Sequence, residues 1–233
     1  MKVLVLGHNG MLGHMVRRYL ESRGITIEVC KDRWPINQTQ ILEFDGDYII
    51  NCIGAIPQKT ITFSINYELP IWLDKNTNCK IIHPGTDHDV EDPYGLSKRK
   101  ATDYILKNGI QTKIIKTSII GTELQGNASL LEWFLSQDNE VHGYTSAMWN
   151  GNTTLEWSKH CYDLMMDWKS FNTETTLEGE SISKYELLNV IAKVWNKDIK
   201  INKIDKGADR RLTGDIKTPG IEQQLQELKD FTL

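Results

Sequence analysis

The chain has 233 residues, 39% of them hydrophobic and 25% charged, with a formal net charge of -4. These values suit a soluble globular chain with room for one large α/β domain, or a domain with a small appendage. They give no basic field for nucleic acid, and no apolar run approaches the roughly 20 residues that span a bilayer.

The chain opens directly on an apolar strand, with no leader segment ahead of it, which predicts a cytoplasmic protein. Cys30, Cys52, Cys79 and Cys161 are scattered without C-x-x-C or Cys/His ligand spacing, so they read as reduced thiols and no metal site is expected. The N-x-[ST] sequences at Asn37, Asn127 and Asn152 carry no meaning without secretion.

The first strand, Val3 to Leu6, runs into Gly7, Gly10 and Gly13 at G-x-x-G-x-x-G spacing, and an amphipathic helix follows from Met11 to Leu20. Glycines at a strand–helix turn let backbone N–H groups approach a pyrophosphate, and the helix turns its positive end to the same charge. A tight βα turn without a ligand has the same spacing. After Gly24, residues 25–30 alternate as a second strand, and Lys31-Asp32-Arg33 follows. An acidic residue at that place accepts ribose hydroxyls, whereas cations accommodate a 2′-phosphate. The tripeptide holds both, and its two cations tilt the reading toward NADP, with NAD as the alternative.

A short helix is expected over 37–44. A third strand over 47–55 ends in the small residues Gly54 and Ala55, which leave room for a ligand. A helix over 66–73 and a strand over 80–83 follow, then Pro84-Gly85-Thr86-Asp87. Tyr94 and Lys98 stand four apart, ahead of a charged helix expected over 99–107. Four residues is about one helical turn, so the two side chains share a face, and an ammonium beside a phenol favours the phenolate. Such a tyrosine can give or take a proton near neutral pH. A single strand is expected over 113–121 and an amphipathic helix over 129–135, with Trp133 and Phe134 as packing residues. The polar, aromatic stretch 141–157 reads as a loop with a short strand near a site. It enters a helix over 155–168 with Thr154 as N-cap. Ser183 and Glu186 have capping-box spacing ahead of a helix over 187–195. An edge strand over 199–204 and a final helix over 223–228 complete the chain, with no internal repeat and no low-complexity linker.

Taken together these motifs resemble the extended short-chain dehydrogenase/reductase superfamily, and within it the dTDP-4-dehydrorhamnose reductase branch. Gly7, Gly10 and Gly13 match the cofactor turn, and residues 51–55 match the strand segment under the nicotinamide side. Ile65-Asn66 is similar to the family's V-N, Gly85-Thr86-Asp87 to its S-T-D, and Tyr94-Gly95-Leu96-Ser97-Lys98 to its Y-G-x-S-K. Residues 116–121 are similar to R-T-S-x-x-G; residues 131–137 and 209–212 are familiar from bacterial surface-polysaccharide members.

The resemblance implies a Rossmann-type doubly wound α/β fold with a mostly parallel sheet, in one domain over 1–233. About 1–140 would be the cofactor-binding core, and about 141–233 mostly substrate-side and C-terminal elements. It implies catalysis by Tyr94 as proton donor or acceptor, by Lys98 tuning it and holding the nicotinamide ribose, and by Thr86 binding the sugar oxygen. The cofactor contacts implied are Gly7, Asn9, Gly10, Met11, Leu12, Gly13, Lys31, Arg33, Cys52, Ile53, Gly54, Tyr94, Lys98 and Thr117. The substrate contacts implied are Thr86, Asp87, Asn127 and Trp149. The expected partner is a nucleotide-linked 4-keto-deoxysugar, reduced or epimerised, without nucleic acid or membrane; relatives allow a homodimer.

Family dehydratases carry Asp-Glu after the threonine, whereas here Asp87 is followed by His88, which argues for reduction or epimerisation. The segment between Asp87 and Tyr94 is shorter than the family's loop, His83-Pro84-Gly85 replaces an Ile-Ser-rich strand end, and Lys116 stands where arginine is usual. The alternative is a non-catalytic NADP-binding regulatory subunit of the same fold, which would not need Thr86, Tyr94 and Lys98 together. A reductase of a small carbonyl compound is a third, weaker reading.

Overall fold

The computed structural model describes residues 1–88 and 91–232. Strand β1 (Lys2–Leu6) is buried on both sides, and its apolar residues divide between two cores. Val3 and Val5 pack with one cluster, Leu4 and Leu6 with the other, as alternation along a central parallel strand requires. Helix α1 (Met11–Ser22) follows, then β2 (Thr26–Val29), α2 (Gln38–Leu42), β3 (Tyr48–Asn51), α3 (Ile65–Asn76) and β4 (Lys80–Pro84). Next come α4 (Pro93–Asn108), β5 (Thr112–Lys116), β6 (Ile119–Ile120), α5 (Leu130–Leu135), β7 (Val141–Tyr144), β8 (Met148–Trp149) and β9 (Asn152–Thr153). The chain ends with α6 (Thr154–Met166), β10 (Glu174–Glu178), β11 (Ile182–Ser183), α7 (Lys184–Trp195), β12 (Ile201–Ile204), β13 (Ile216–Lys217) and α8 (Ile221–Thr232).

Seven strands form one sheet in the order β13-β10-β5-β4-β3-β1-β2, and every pairing in it is parallel. Helices α1 and α6 supply one cover: Leu12, Val16 and Leu20 meet Trp157, Cys161 and Leu164 over the sheet. Helices α2 and α3 bring Ile41, Leu69 and Leu73 to the opposite face. A parallel sheet covered on both faces is the doubly wound α/β arrangement expected from the sequence. Beside it, α5, α7 and α8 with the short strands close a third cluster around Phe134, Trp149, Leu187 and Leu225. Among the described residues, no helix is long and apolar enough to cross a membrane.

Several elements differ from expectation. Strands β10 and β13, from the second half of the chain, extend the main sheet. Glu174-Thr175-Thr176-Leu177-Glu178 has no long apolar run, and its strand character comes from pairing with β5. The single strand expected over 113–121 is two, because Thr117 and Ser118 leave the sheet to bond Asn152: its side chain donates to Thr117 Oγ1 at 2.8 Å and its backbone to Ser118 O at 2.9 Å. Strand β6 then pairs with β9. The cap of α6 is Thr153, whose hydroxyl accepts from Glu156 N, not Thr154, which is already helical. Helix α4 begins at Pro93, six residues before the expected start, so Tyr94 lies in its first turn. The Ser183–Glu186 capping box of α7 is as expected.

Trp157 is fully buried between α6 and the sheet, and its indole N–H donates to Ile115 O at 3.5 Å. Trp157→Ala is expected to lower folding stability by about 3–5 kcal/mol, checked by denaturant unfolding; a loss under about 1 kcal/mol would contradict this packing.

Candidate active site

The strand order reverses between β1 and β3, since the chain leaves β1 toward β2 and returns on the other side to β3. Open α/β sheets bind ligands in the crevice outside the carboxyl ends of the strands at such a point. The glycine turn lies there. Gly7 has φ of 75°, a conformation that favours glycine, and its carbonyl accepts from Gly10 N at 2.9 Å. A Cβ on Gly13 would stand 2.1 Å from Gly7 O, so α1 can approach the turn only with glycine there. Gly10 caps α1 without a side chain, which leaves the first-turn N–H groups clear for an anion. The buried His14 ring bridges Gly10 O at 2.9 Å and Thr122 Oγ1 at 3.2 Å. It ties the turn to the loop after β6.

Cys52, Ile53 and Gly54 follow β3 directly beside the turn, and a Cβ at Gly7 would meet Cys52 at 3.0 Å. Burial pushes the Cys52 thiol far above its usual value, so it stays protonated and inert. Lys31 and Arg33 are exposed beyond the end of edge strand β2. Asn9 is exposed in the turn, while Met11 and Leu12 begin α1.

The second half of the crevice is organised by the start of α4. Asp92 is its N-cap: the backbone is extended there, Oδ1 accepts from Gly95 N at 2.7 Å, and Pro93 opens the helix. Tyr94 and Lys98 therefore sit one turn apart on one helix. Asn66, at the start of α3, bonds both N and O of Ala55 and donates to Ser97 Oγ at 3.0 Å; Ser97 Oγ donates to Tyr94 O at 2.6 Å. Asn66 and Ser97 thus join the Ile65-Asn66 and Tyr94–Lys98 motifs.

The Thr86 hydroxyl faces the Tyr94 phenol and favours its ionised form, and Thr86 Oγ1 accepts from His88 N at 3.2 Å. Burial raises the Tyr94 phenol above its ordinary value, the Thr86 hydroxyl and the Arg210 charge oppose this, and Asp87 and Asp92 add to it. The resting group is the protonated phenol, a proton donor, rather than the phenolate suggested by the Tyr–Lys spacing alone. Lys98 is buried and donates to Pro84 O at 3.1 Å; burial brings its ammonium down to about 8. Nearby, His83 accepts from Asn51 Nδ2 at 3.2 Å, because Asn51 Oδ1 is already the acceptor for Ile53 N. Burial holds its imidazole neutral, well below the usual histidine value.

Of the other expected contacts, Asp87 is within charge range of both Tyr94 and Lys184. Trp149 is buried under the Lys184 ammonium, 4.7 Å from its ring. Thr117 is buried and bonded to Asn152 and Ser118. Asn127 is exposed and donates to Ser136 Oγ at 3.3 Å. Of the shortened segment between Asp87 and Tyr94, Asp89 and Val90 lie outside the described residues.

Residues that sequence reasoning missed are His88, Asp92, Lys184 and Arg210. Only Asp92 had a local signal, an N-cap residue followed by proline. Lys184 and Arg210 reach the site because their backbones bond Ala147 O and Met148 O, both at 3.0 Å, in the two residues just before Trp149. Burial lowers the Lys184 ammonium to about 8, with Asp87 opposing and Arg210 assisting.

The sequence matches no protein-family model and no curated protein. Solved structures do match along the whole chain. A dTDP-4-dehydrorhamnose reductase from Bacillus anthracis str. Ames, in complex with NADP, is similar at a TM-score of 0.81 and 14% identity, over 100% of this chain and 99% of that one. The dTDP-4-dehydrorhamnose reductase of Yersinia enterocolitica is similar at 0.74 and 12%, again over 100% and 99%. The ADP-L-glycero-D-manno-heptose-6-epimerase of Helicobacter pylori is similar at 0.73 and 14%, over 98% and 95%. The chain has the Rossmann-type fold of these solved nucleotide-sugar reductases and epimerases.

The cap gives a direct test of how Tyr94 is placed. Asp92→Ala is expected to lower stability, and Asp92→Asn, which keeps an acceptor for Gly95 N, to lower it much less. Equal losses in denaturant unfolding would contradict the capping role.

Proposed function

We propose that this protein is an NADP-dependent enzyme that reduces or epimerises a keto sugar carried on a nucleoside diphosphate. The observation that carries the reading is the juxtaposition of the Thr86 hydroxyl with the Tyr94 phenol, one helical turn from the buried Lys98 ammonium and downstream of a glycine cradle. A binding module has no use for a hydroxyl beside a partly buried, protonated phenol, so this arrangement favours turnover over the regulatory-subunit reading. The solved neighbours, which include reductases of 4-keto sugars, support the substrate class.

The residues fit the cofactor. Gly7, Gly10 and Gly13 leave backbone amides clear for the pyrophosphate, Lys31 and Arg33 suit a 2′-phosphate, and Lys98 suits the nicotinamide ribose. When bound, the nicotinamide supplies hydride chemistry. The chain supplies the rest. Thr86 and Tyr94 hold the sugar carbonyl oxygen, and Tyr94 gives it a proton as negative charge develops there. The Lys98 ammonium stabilises the phenolate left behind. Asp87, Lys184 and Arg210 line the substrate side, with Trp149 as an aromatic floor.

Three outcomes test this reading with NADPH and dTDP-4-dehydrorhamnose as probes. Tyr94→Phe is expected to lower kcat by at least about a hundredfold, with NADPH affinity by titration unchanged; wild-type turnover in this variant would remove Tyr94 from its role. Replacing Lys31 and Arg33 by alanine is expected to weaken NADPH much more than NADH, and equal losses would refute the 2′-phosphate assignment. Lys98 carries its charge below about pH 8 and loses it above, whereas Tyr94 stays protonated through that range. Reduction is therefore expected to fall about tenfold per pH unit above Lys98's ionisation; a profile flat to about pH 10 would contradict the need for the ammonium.

A further inference from the structure

We infer that His88, paired with Asp92, is a second proton-transfer group of this site, a base for the carbon next to the bound carbonyl. The inference rests on the keto-sugar reading above and deepens it, since it gives one site both proton exchange at carbon and reduction.

His88 Nε2 lies 2.6 Å from Asp92 Oδ2. An ionised carboxylate only accepts, so the imidazole hydrogen is on Nε2, and Nδ1 carries a free lone pair in the neutral ring. Nδ1 has no partner among the described residues. The ring stands edge-on to Tyr94, with centroids 5.2 Å apart and planes at 65°, and its side chain is only 13% exposed. Asp92 is held in turn by Gly95 N, a bond that with His88 keeps its carboxyl below the usual value and therefore ionised. A base, its orienting carboxylate and a phenol that activates a carbonyl are thus gathered within seven residues of chain.

This is the arrangement that proton removal beside a carbonyl requires. The acidic C–H is one bond from the carbonyl carbon, and the oxygen is held by Thr86 and Tyr94. In the step, His88 Nδ1 takes the proton, the C–H electron pair becomes a carbon–carbon double bond, and the carbonyl π pair moves to oxygen. That oxygen receives the Tyr94 proton. The imidazolium is stabilised by the ionised Asp92 carboxylate 2.6 Å from Nε2. Return of a proton from His88 to the face it left, with the Tyr94 proton restored, regenerates the ketone in the same configuration, and a proton from solvent water on the opposite face, with His88 losing its own to water, gives the inverted one. No electron is gained or lost. The other ionisable groups whose charge reaches this site, Asp87, Lys184 and Arg210, are set toward one another at the substrate rim.

The test follows deuterium uptake by mass spectrometry when the full chain, with NADP⁺ so that no reduction occurs, is incubated with dTDP-4-dehydrorhamnose in D₂O. NADPH oxidation with the same probe is measured separately. Wild-type protein is expected to label the sugar faster than buffer does. His88→Gln and Asp92→Asn, the second keeping the helix cap, are expected to lower labelling about tenfold more than they lower NADPH oxidation. Damage to the fold would lower both together. Oxidation of NADPH without labelling above the buffer rate, or labelling at the wild-type rate in His88→Gln, overturns the inference while leaving the reductase reading intact. If neither activity occurs, both fail.

Discussion

The close approach of α1 to the turn after β1 is the constraint on which the rest depends. With Gly7 in a left-handed conformation and Gly13 against its carbonyl, the helix enters directly over the end of the sheet. A side chain at Gly13 would force the helix away from the turn. Because the chain reverses direction across the sheet at that point, the crevice has two walls built by different parts of the sequence. One wall is the glycine turn, braced by His14; the other is the end of β4 and the first turn of α4.

The two walls do different chemistry. The first offers backbone amides and a helix end, which suit phosphates and carry no titratable group that must be tuned. The second concentrates charge and proton donors. Asp92 sets where α4 begins, and therefore where Tyr94 and Lys98 stand relative to Thr86. Burial acts oppositely on the two: it raises the phenol and lowers the ammonium, keeping Tyr94 a proton donor while Lys98 titrates near neutrality. Arg210 and Lys184, delivered by the second half of the chain, put positive charge near Tyr94 and Asp87.

Much of this was legible because each signal was local. Gly7, Gly10 and Gly13 after an apolar strand, Tyr94 with Lys98, and Ser183 with Glu186 all act within one turn or one helix end. What stayed hidden was set by distant partners. Strand β10 has no apolar run and exists through pairing with β5. The split between β5 and β6 is caused by Asn152, far along the chain. Thr153 rather than Thr154 caps α6, a distinction of one residue that two adjacent threonines cannot disclose. The sequence shows no site role for His88, whose meaning depends on Asp92 and the ring of Tyr94, or for Arg210, which arrives through a backbone bond to β8.

The central claim is that this crevice joins a reduced nicotinamide to a sugar carbonyl protonated by Tyr94. The most direct measurement uses NADPH deuterated at the nicotinamide C4 position, with dTDP-4-dehydrorhamnose as acceptor, and reads the product by mass spectrometry and NMR. The account predicts one deuterium on the former carbonyl carbon, at full enrichment from one face of the nicotinamide. Reduced sugar lacking that label, or no reduced sugar although the labelled cofactor binds, would contradict it.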